Sequence, residues 1–168
     1  MIRWFRLALM LVFAFSCVAQ QPAPTGILST EEIQRLMPPA VFFEGQTATV
    51  QIRNSFGVRF PHGGLVLAGM VDTGGYSSAI RDRYQFYLLA DTAVEVGGKR
   101  LAPGAYGCGF LPDGLLVMDL SGHELMLVST EQDSGLKRPR PLQMLAGKSN
   151  DEVRLYLGRD FVTIRHAQ

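Results

Sequence analysis

The chain has 168 residues, with 16 Lys and Arg against 15 Asp and Glu and a formal net charge of +1. So near-neutral a balance removes the electrostatic case for nucleic-acid or anionic-membrane binding through long-range charge. Two cysteines and three histidines leave little material for a disulfide framework or a local metal cluster.

The first 19 residues, MIRWFRLALMLVFAFSCVA, read as a secretory signal peptide. Arg3 and Arg6 form a basic start, and 7–15 is an apolar run shorter than the roughly 20 residues that span a bilayer. Ser16, Cys17 and Ala19 offer a small-residue cleavage site, with Gln20 as the new N-terminus. A retained anchor helix is the alternative. Cys17 also admits a reading as a lipidated cysteine, which the bulky Phe15 fits poorly. The mature chain then suffices for one domain, with no transmembrane span, in the periplasm or outside the cell. It keeps one cysteine, Cys108, so an internal disulfide is impossible and stability rests on packing. Between glycines in GAYGCGF, Cys108 reads as a buried, inert thiol rather than a nucleophile.

Residues 20–28 read as a flexible tether, and a single β-rich domain is expected over 29–168. Ser29-Thr30-Glu31-Glu32 is a capping box, followed by Ile33, Leu36 and Met37 at helical spacing and stopped by Pro38-Pro39. One short helix is therefore expected, lying beside the sheet or plugging a barrel end. From Val41 the period changes to alternation, and 47–53 reads as a half-buried strand punctuated by Asn54 and Gly57 before a short strand at 58–60. Residues 65–71 and 85–89 are apolar on both faces, which requires a second layer. Short strands at 93–96, 105–111, 115–120 and 123–129 follow, cut by glycine turns, and a last hairpin over 153–165 is expected to close a sheet edge. The density of short strands predicts an all-β fold, an antiparallel sandwich or filled barrel of about nine to eleven strands.

The connection 72–83, DTGGYSSAIRDR, is the candidate ligand site, because loops on rigid scaffolds concentrate function. Asp72, Tyr76, Ser77, Arg81 and Asp82 are its candidate binding residues. Gly75-Tyr76-Ser77-Ser78-Ala79 resembles a hydrolase nucleophile elbow with Ala for the last Gly, but that elbow requires a parallel sheet and a following helix. The bland reading is a polar hairpin loop in which Gly74 and Gly75 supply positive φ. His62, His123 and His166 sit in no metal-binding pattern, and no metal or cofactor is expected. Aspartates at strand ends read as acceptors for free backbone amides, although a pair of them could serve a glycosidase. Lys137-Arg138-Pro139-Arg140-Pro141 is the single basic cluster, either an anion- or partner-binding stretch or a solvated, proline-stiffened loop.

The hairpin Val94-Glu95-Val96-Gly97-Gly98-Lys99-Arg100-Leu101-Ala102-Pro103-Gly104-Ala105-Tyr106-Gly107, with Leu136-Lys137-Arg138-Pro139 and Leu157-Gly158-Arg159-Asp160, resembles small exported bacterial β proteins of unknown function. The resemblance covers about two-thirds of the mature chain and is carried by turn residues. It implies an exported all-β domain and carries over no activity or site. The function expected is a non-catalytic exported module that binds a small ligand or an envelope protein. The alternatives are a structural or assembly accessory of the envelope and a hydrolase with a dispersed site. Mass spectrometry of the exported protein is expected to find Gln20 as the first residue; a diacylated peptide beginning at Cys17 would replace that expectation with a lipid anchor.

Overall fold

The computed structural model describes residues 25–167; the leader, Cys17 and the first part of the tether lie outside them. The fold is all-β, two antiparallel sheets that do not close into a barrel, with fourteen strands and two short helices among the described residues. The strand count exceeds the nine to eleven expected, because β1 (Gly26–Ile27) and β11 (Glu131–Gln132) are too short to leave a periodic signal and the strands over 40–43 and 140–146 were not expected. By contrast, β7 (Lys99–Leu101) is the short return to Leu101 that the Gly97-Gly98 turn implies.

The larger sheet has eight strands. Its order is β1, β3 (Gln46–Arg59), β4 (Leu65–Val71), β5 (Phe86–Ala90), β8 (Gly104–Leu111), β9 (Gly114–Met118), β10 (Glu124–Val128), with β2 (Ala40–Phe43) paired to β3. The smaller runs β12 (Arg140–Ala146), β13 (Glu152–Gly158), β14 (Asp160–His166), β6 (Val94–Val96), β7, with β11 paired to β14. The chain thus crosses to the small sheet for the β6–β7 hairpin, returns for β8–β10, and crosses again for β11–β14. The hairpin β13–β14 lies inside its sheet, flanked by β12 and β6, rather than closing an edge as expected. Residues 140–146 form the edge instead; the prolines there hid a strand whose register slips between Arg140 and Gln143.

Alternation along the large sheet builds two cores. Val66, Ala68, Phe86, Leu88, Cys108 and Val117 point between the sheets and meet Leu142, Leu155, Val162 and Ile164. Leu67, Val71, Tyr87, Leu116 and Met118 point the other way, into a second cluster with Ile33, Met37, Val41 and Phe43. This second cover explains why 65–71 and 85–89 are apolar on both faces. The helix α1 (Thr30–Leu36) supplies part of it. Its capping box forms as read: Glu32 N donates to Ser29 Oγ at 3.3 Å and Ser29 N to Glu32 Oε2 at 2.9 Å. Ile33 and Met37 are buried while Leu36 is exposed, so the helix lies flat on the outer face. Gly26 and Ile27, within the stretch read as tether, pair with Arg59 and Val58, and Leu28 seats in the second core. The fold therefore begins before Ser29.

The rest of the cover is made by β3 itself. Two strands were expected over 47–60; one long strand is observed, with its pairing to β4 slipping between Val50 and Ser55, where Ser55 Oγ donates to Gln51 O at 3.0 Å. This irregularity lets one strand bend rather than break. Its first half, with β2, folds across the outer face until Glu44 N donates to Leu120 O beyond β9, 2.8 Å away. Close approach is possible because the face beneath is bare. A Cβ on Gly107 would lie 2.2 Å from the Phe43 ring, and one on Gly109 would lie 2.2 Å from the Arg83 carbonyl oxygen. Flexible rings can shift, but backbone cannot. Gly109→Ala is expected to cost about 1–3 kcal/mol in urea unfolding, as overpacking does; a change within about 0.5 kcal/mol, the range of surface substitutions, would show that the contact is slack.

Candidate functional site

The loop 72–83 runs from the end of β4 through the helix α2 (Ser78–Arg81) to β5. Asp72 is exposed and its Oδ1 accepts from Gly74 N at 3.0 Å, an Asx turn. Tyr76 is buried, and its hydroxyl lies 3.0 Å from Phe43 O and 3.1 Å from Gln46 O as donor. Those carbonyls flank the β2–β3 turn, where Glu44 holds a positive φ of 46°. The Tyr76 ring meets Tyr84 edge-on at 5.7 Å, and Tyr84 stacks on Phe43 at 4.0 Å. Burial pushes the Tyr76 and Tyr84 hydroxyls above the usual phenol range, so neither is an accessible acid or base.

Ser77 is exposed at the start of α2 and makes no side-chain cap bond. It lines an open cleft of about 300 Å³ with Glu44, Arg83 and Met118. Asp72, Tyr76, Arg81 and Asp82 are not on its walls. The structure thus brings Ser77 beside Glu44 and Arg83, not beside the other four candidates. Gly75-Tyr76-Ser77-Ser78-Ala79 lies in the connection between the antiparallel strands β4 and β5, its last two residues inside the four-residue α2, without the parallel frame of a nucleophile elbow. Neither Gly74 nor Gly75 takes the positive φ expected there. The loop holds the flap formed by β2 and the first half of β3 through Tyr76, which binds its turn; Arg83 Nη2 pairs instead with Glu124 Oε1 on β10 at 2.5 Å.

A second concavity opens at the edge of the smaller sheet. It has a volume of about 540 Å³, within the range of small-ligand sites. Phe56, Leu136, Met144 and Leu145 give it apolar walls, and Lys137, Arg138 and Arg140 supply positive charge. Phe56 and Arg140 also border a smaller hollow of about 100 Å³ against α1, which adds Arg53. No carboxylate lines either hollow. The four ion pairs among the described residues involve none of these cations. Gln143 borders the larger hollow too; it is 5 % exposed, and its Nε2 is one of five buried side-chain atoms without a hydrogen-bond partner among the described residues, the one of the five that lies on this hollow. Leaving such a donor unpaired costs about 1–3 kcal/mol.

The rim is held from below. Arg159 Nη1 donates to the carbonyls of Asp133, Ser134 and Leu136 at 3.2, 3.1 and 2.7 Å. Tyr156, buried beneath, donates its hydroxyl to Asp133 Oδ2 at 3.1 Å. Lys137 and Arg138 therefore project from a fixed turn rather than a loose loop. Sequence reading saw Lys137, Arg138 and Arg140 as a basic cluster; Arg53, Phe56 and Gln143 carried no signal, because only the β3 bend and the β12 edge bring them there.

The remaining candidates serve the fold. Asp119 Oδ1 accepts from Ser121 N and His123 N, and Asp91 Oδ1 from Leu65 N. His123 and His62 are exposed, whereas His166 Nε2 lies 3.3 Å from Thr92 Oγ1. Cys108 is fully buried, and burial pushes its thiol up. Among the described residues no helix is long and apolar enough to cross a membrane. Comparison of the chain with protein-family models, curated proteins and solved structures found no match.

Tyr76→Phe is expected to lower stability by about 1 kcal/mol through the lost hydrogen bond and to leave any ligand affinity unchanged. A variant that kept its stability but lost binding would return Tyr76 to the list of binding residues.

Proposed function

We propose that the protein is a non-catalytic exported module that binds a ligand or a segment of an envelope partner at the hollow between β3 and β12. One observation carries this reading: three separate parts of the chain place uncompensated cations, apolar wall and an unpartnered buried amide around two adjoining hollows that share Phe56 and Arg140. Surface lysines and arginines normally sit in water at no cost, but a buried donor without a partner is rare in a settled fold. A bound acceptor would supply the missing hydrogen bond. The candidates Asp72, Tyr76, Ser77, Arg81 and Asp82 support a binding role less well, since Tyr76 is spent on the flap and only Ser77 reaches a cleft.

A second reading, an assembly accessory, draws on Leu125 and Leu127, which are exposed on the edge strand β10. Lys99 Nζ donates to Leu127 O at 2.8 Å and so blunts that edge, which weighs against strand pairing there.

The test is a thermal-shift panel of anionic, neutral and cationic small molecules and peptides on the exported protein. A ligand at 100 times its Kd stabilises by about 2.7 kcal/mol, a rise of several degrees. The rise should disappear in Arg140→Ala and persist in Arg81→Ala and Asp82→Ala. The reverse pattern would move the site to the 72–83 loop, and no response across the panel would overturn the binding role.

A further inference from the structure

Resting on the reading that this hollow is a binding site, we propose that its ligand is an amphiphilic anion: an apolar chain or ring bearing a phosphate, sulfate or carboxylate head. The two halves of the hollow require the two halves of such a molecule. Phe56, Leu136 and Leu145 present apolar surface that water solvates poorly, and Leu145 is 37 % exposed although it lies on a regular strand. Around that surface stand Arg53, Lys137, Arg138 and Arg140, with no lining carboxylate to neutralise them. An inorganic anion would leave the apolar wall wet, and a neutral hydrocarbon would leave the cations unanswered.

Two details narrow the head group. Gln143 Nε2 is a buried donor without an acceptor, which suits an oxyanion with several lone pairs. Arginine prevails over lysine, two to one on the larger hollow and three to one with the smaller hollow beside it, and its planar fork matches phosphate and carboxylate oxygens in pairs. The turn held by Arg159 fixes where Lys137 and Arg138 leave the backbone, so less freedom is lost on binding.

The same chemistry could arrive as a free amphiphile or as a lipid in a membrane surface, and the experiment separates them. In the first arm, isothermal titration uses decyl phosphate below its micelle concentration, with inorganic phosphate and decanol as controls. Decyl phosphate is expected to bind at least tenfold more tightly than either control. Arg140→Glu should weaken it at least tenfold, and raising salt from about 20 to 500 mM should weaken it further, because exposed charges are screened. Gln143→Leu should weaken it as well; should that variant unfold, Gln143→Glu, which keeps the shape and adds repulsion, stands in its place. In the second arm, the protein is sedimented with vesicles of phosphatidylglycerol or of phosphatidylcholine. Capture by the anionic vesicles alone, lost in Arg140→Glu, assigns the lipid surface; binding of monomeric decyl phosphate alone assigns a free amphiphile.

Decanol binding as tightly as decyl phosphate, inorganic phosphate binding as tightly, or indifference to Arg140→Glu would each overturn the proposal. If both arms fail while the thermal-shift panel finds another ligand that needs Arg140, the amphiphile is wrong and the binding role survives. If the panel fails too, both fall.

Discussion

The structure depends on one steric permission, the bare outer face of β8. At Gly107 and Gly109 the large sheet has no side chain on the side away from the small sheet, and the Phe43 ring and the Arg83 backbone occupy the space. Gly69 does the same on β4, where an added Cβ would lie 2.5 Å from Ser55 Oγ. A sheet so cleared can be covered at backbone distance, and β3 uses this by bending at its irregular pairing and lying over its own sheet. Both faces of the central strands are then dry. With Cys108 the one cysteine among the described residues, two cores give this fold what disulfides give many small domains.

That cover sets what the rest of the chain is free to do. The β2–β3 flap must be held at its tip, and the 72–83 loop does this through Tyr76. A polar loop between two core strands is a fair place to look for chemistry, yet here its aromatic is committed to two backbone carbonyls. The bend also exposes the far side of β3: Arg53 lies within the irregular stretch and Phe56 just after it, and both come to border a hollow shared with Arg140 of β12. One distortion thus closes one face and opens the hollow at the other.

Much of this was legible in the sequence, for physical reasons. A capping box is local chemistry and formed as read. Alternation over 153–157 and double-sided apolar runs over 65–71 report burial directly, and both held. Tyr156 shows the limit: it points outward as alternation demands, yet it is buried beneath the 133–136 turn. The continuity of β3 and the edge position of β12 escaped, since Asn54, Gly57 and Pro141 punctuate a bulge as readily as a loop. The hollow escaped because its walls are far apart in the chain, and no period records a convergence. Leu136-Lys137-Arg138-Pro139 and Leu157-Gly158-Arg159-Asp160 stood out separately in the sequence; in the fold the second holds the first, through Arg159 and the Leu136 carbonyl.

Charge on β12 has a simpler rationale that bears on the proposed function. Edge strands are protected against stray pairing by arginine, lysine and proline, and Arg140 and Pro141 meet that need by themselves. Protection, however, asks only that charge face outward along the edge. It does not require Arg53 from another sheet, nor a turn pinned by a guanidinium bound to three carbonyls, nor a buried amide left without an acceptor. These features cost order and hydrogen bonding, and an edge guard returns neither. A ligand that accepts from Gln143 and neutralises the rim would offset both, which is why the proposed site is placed at this edge rather than at the equally exposed edge of β10.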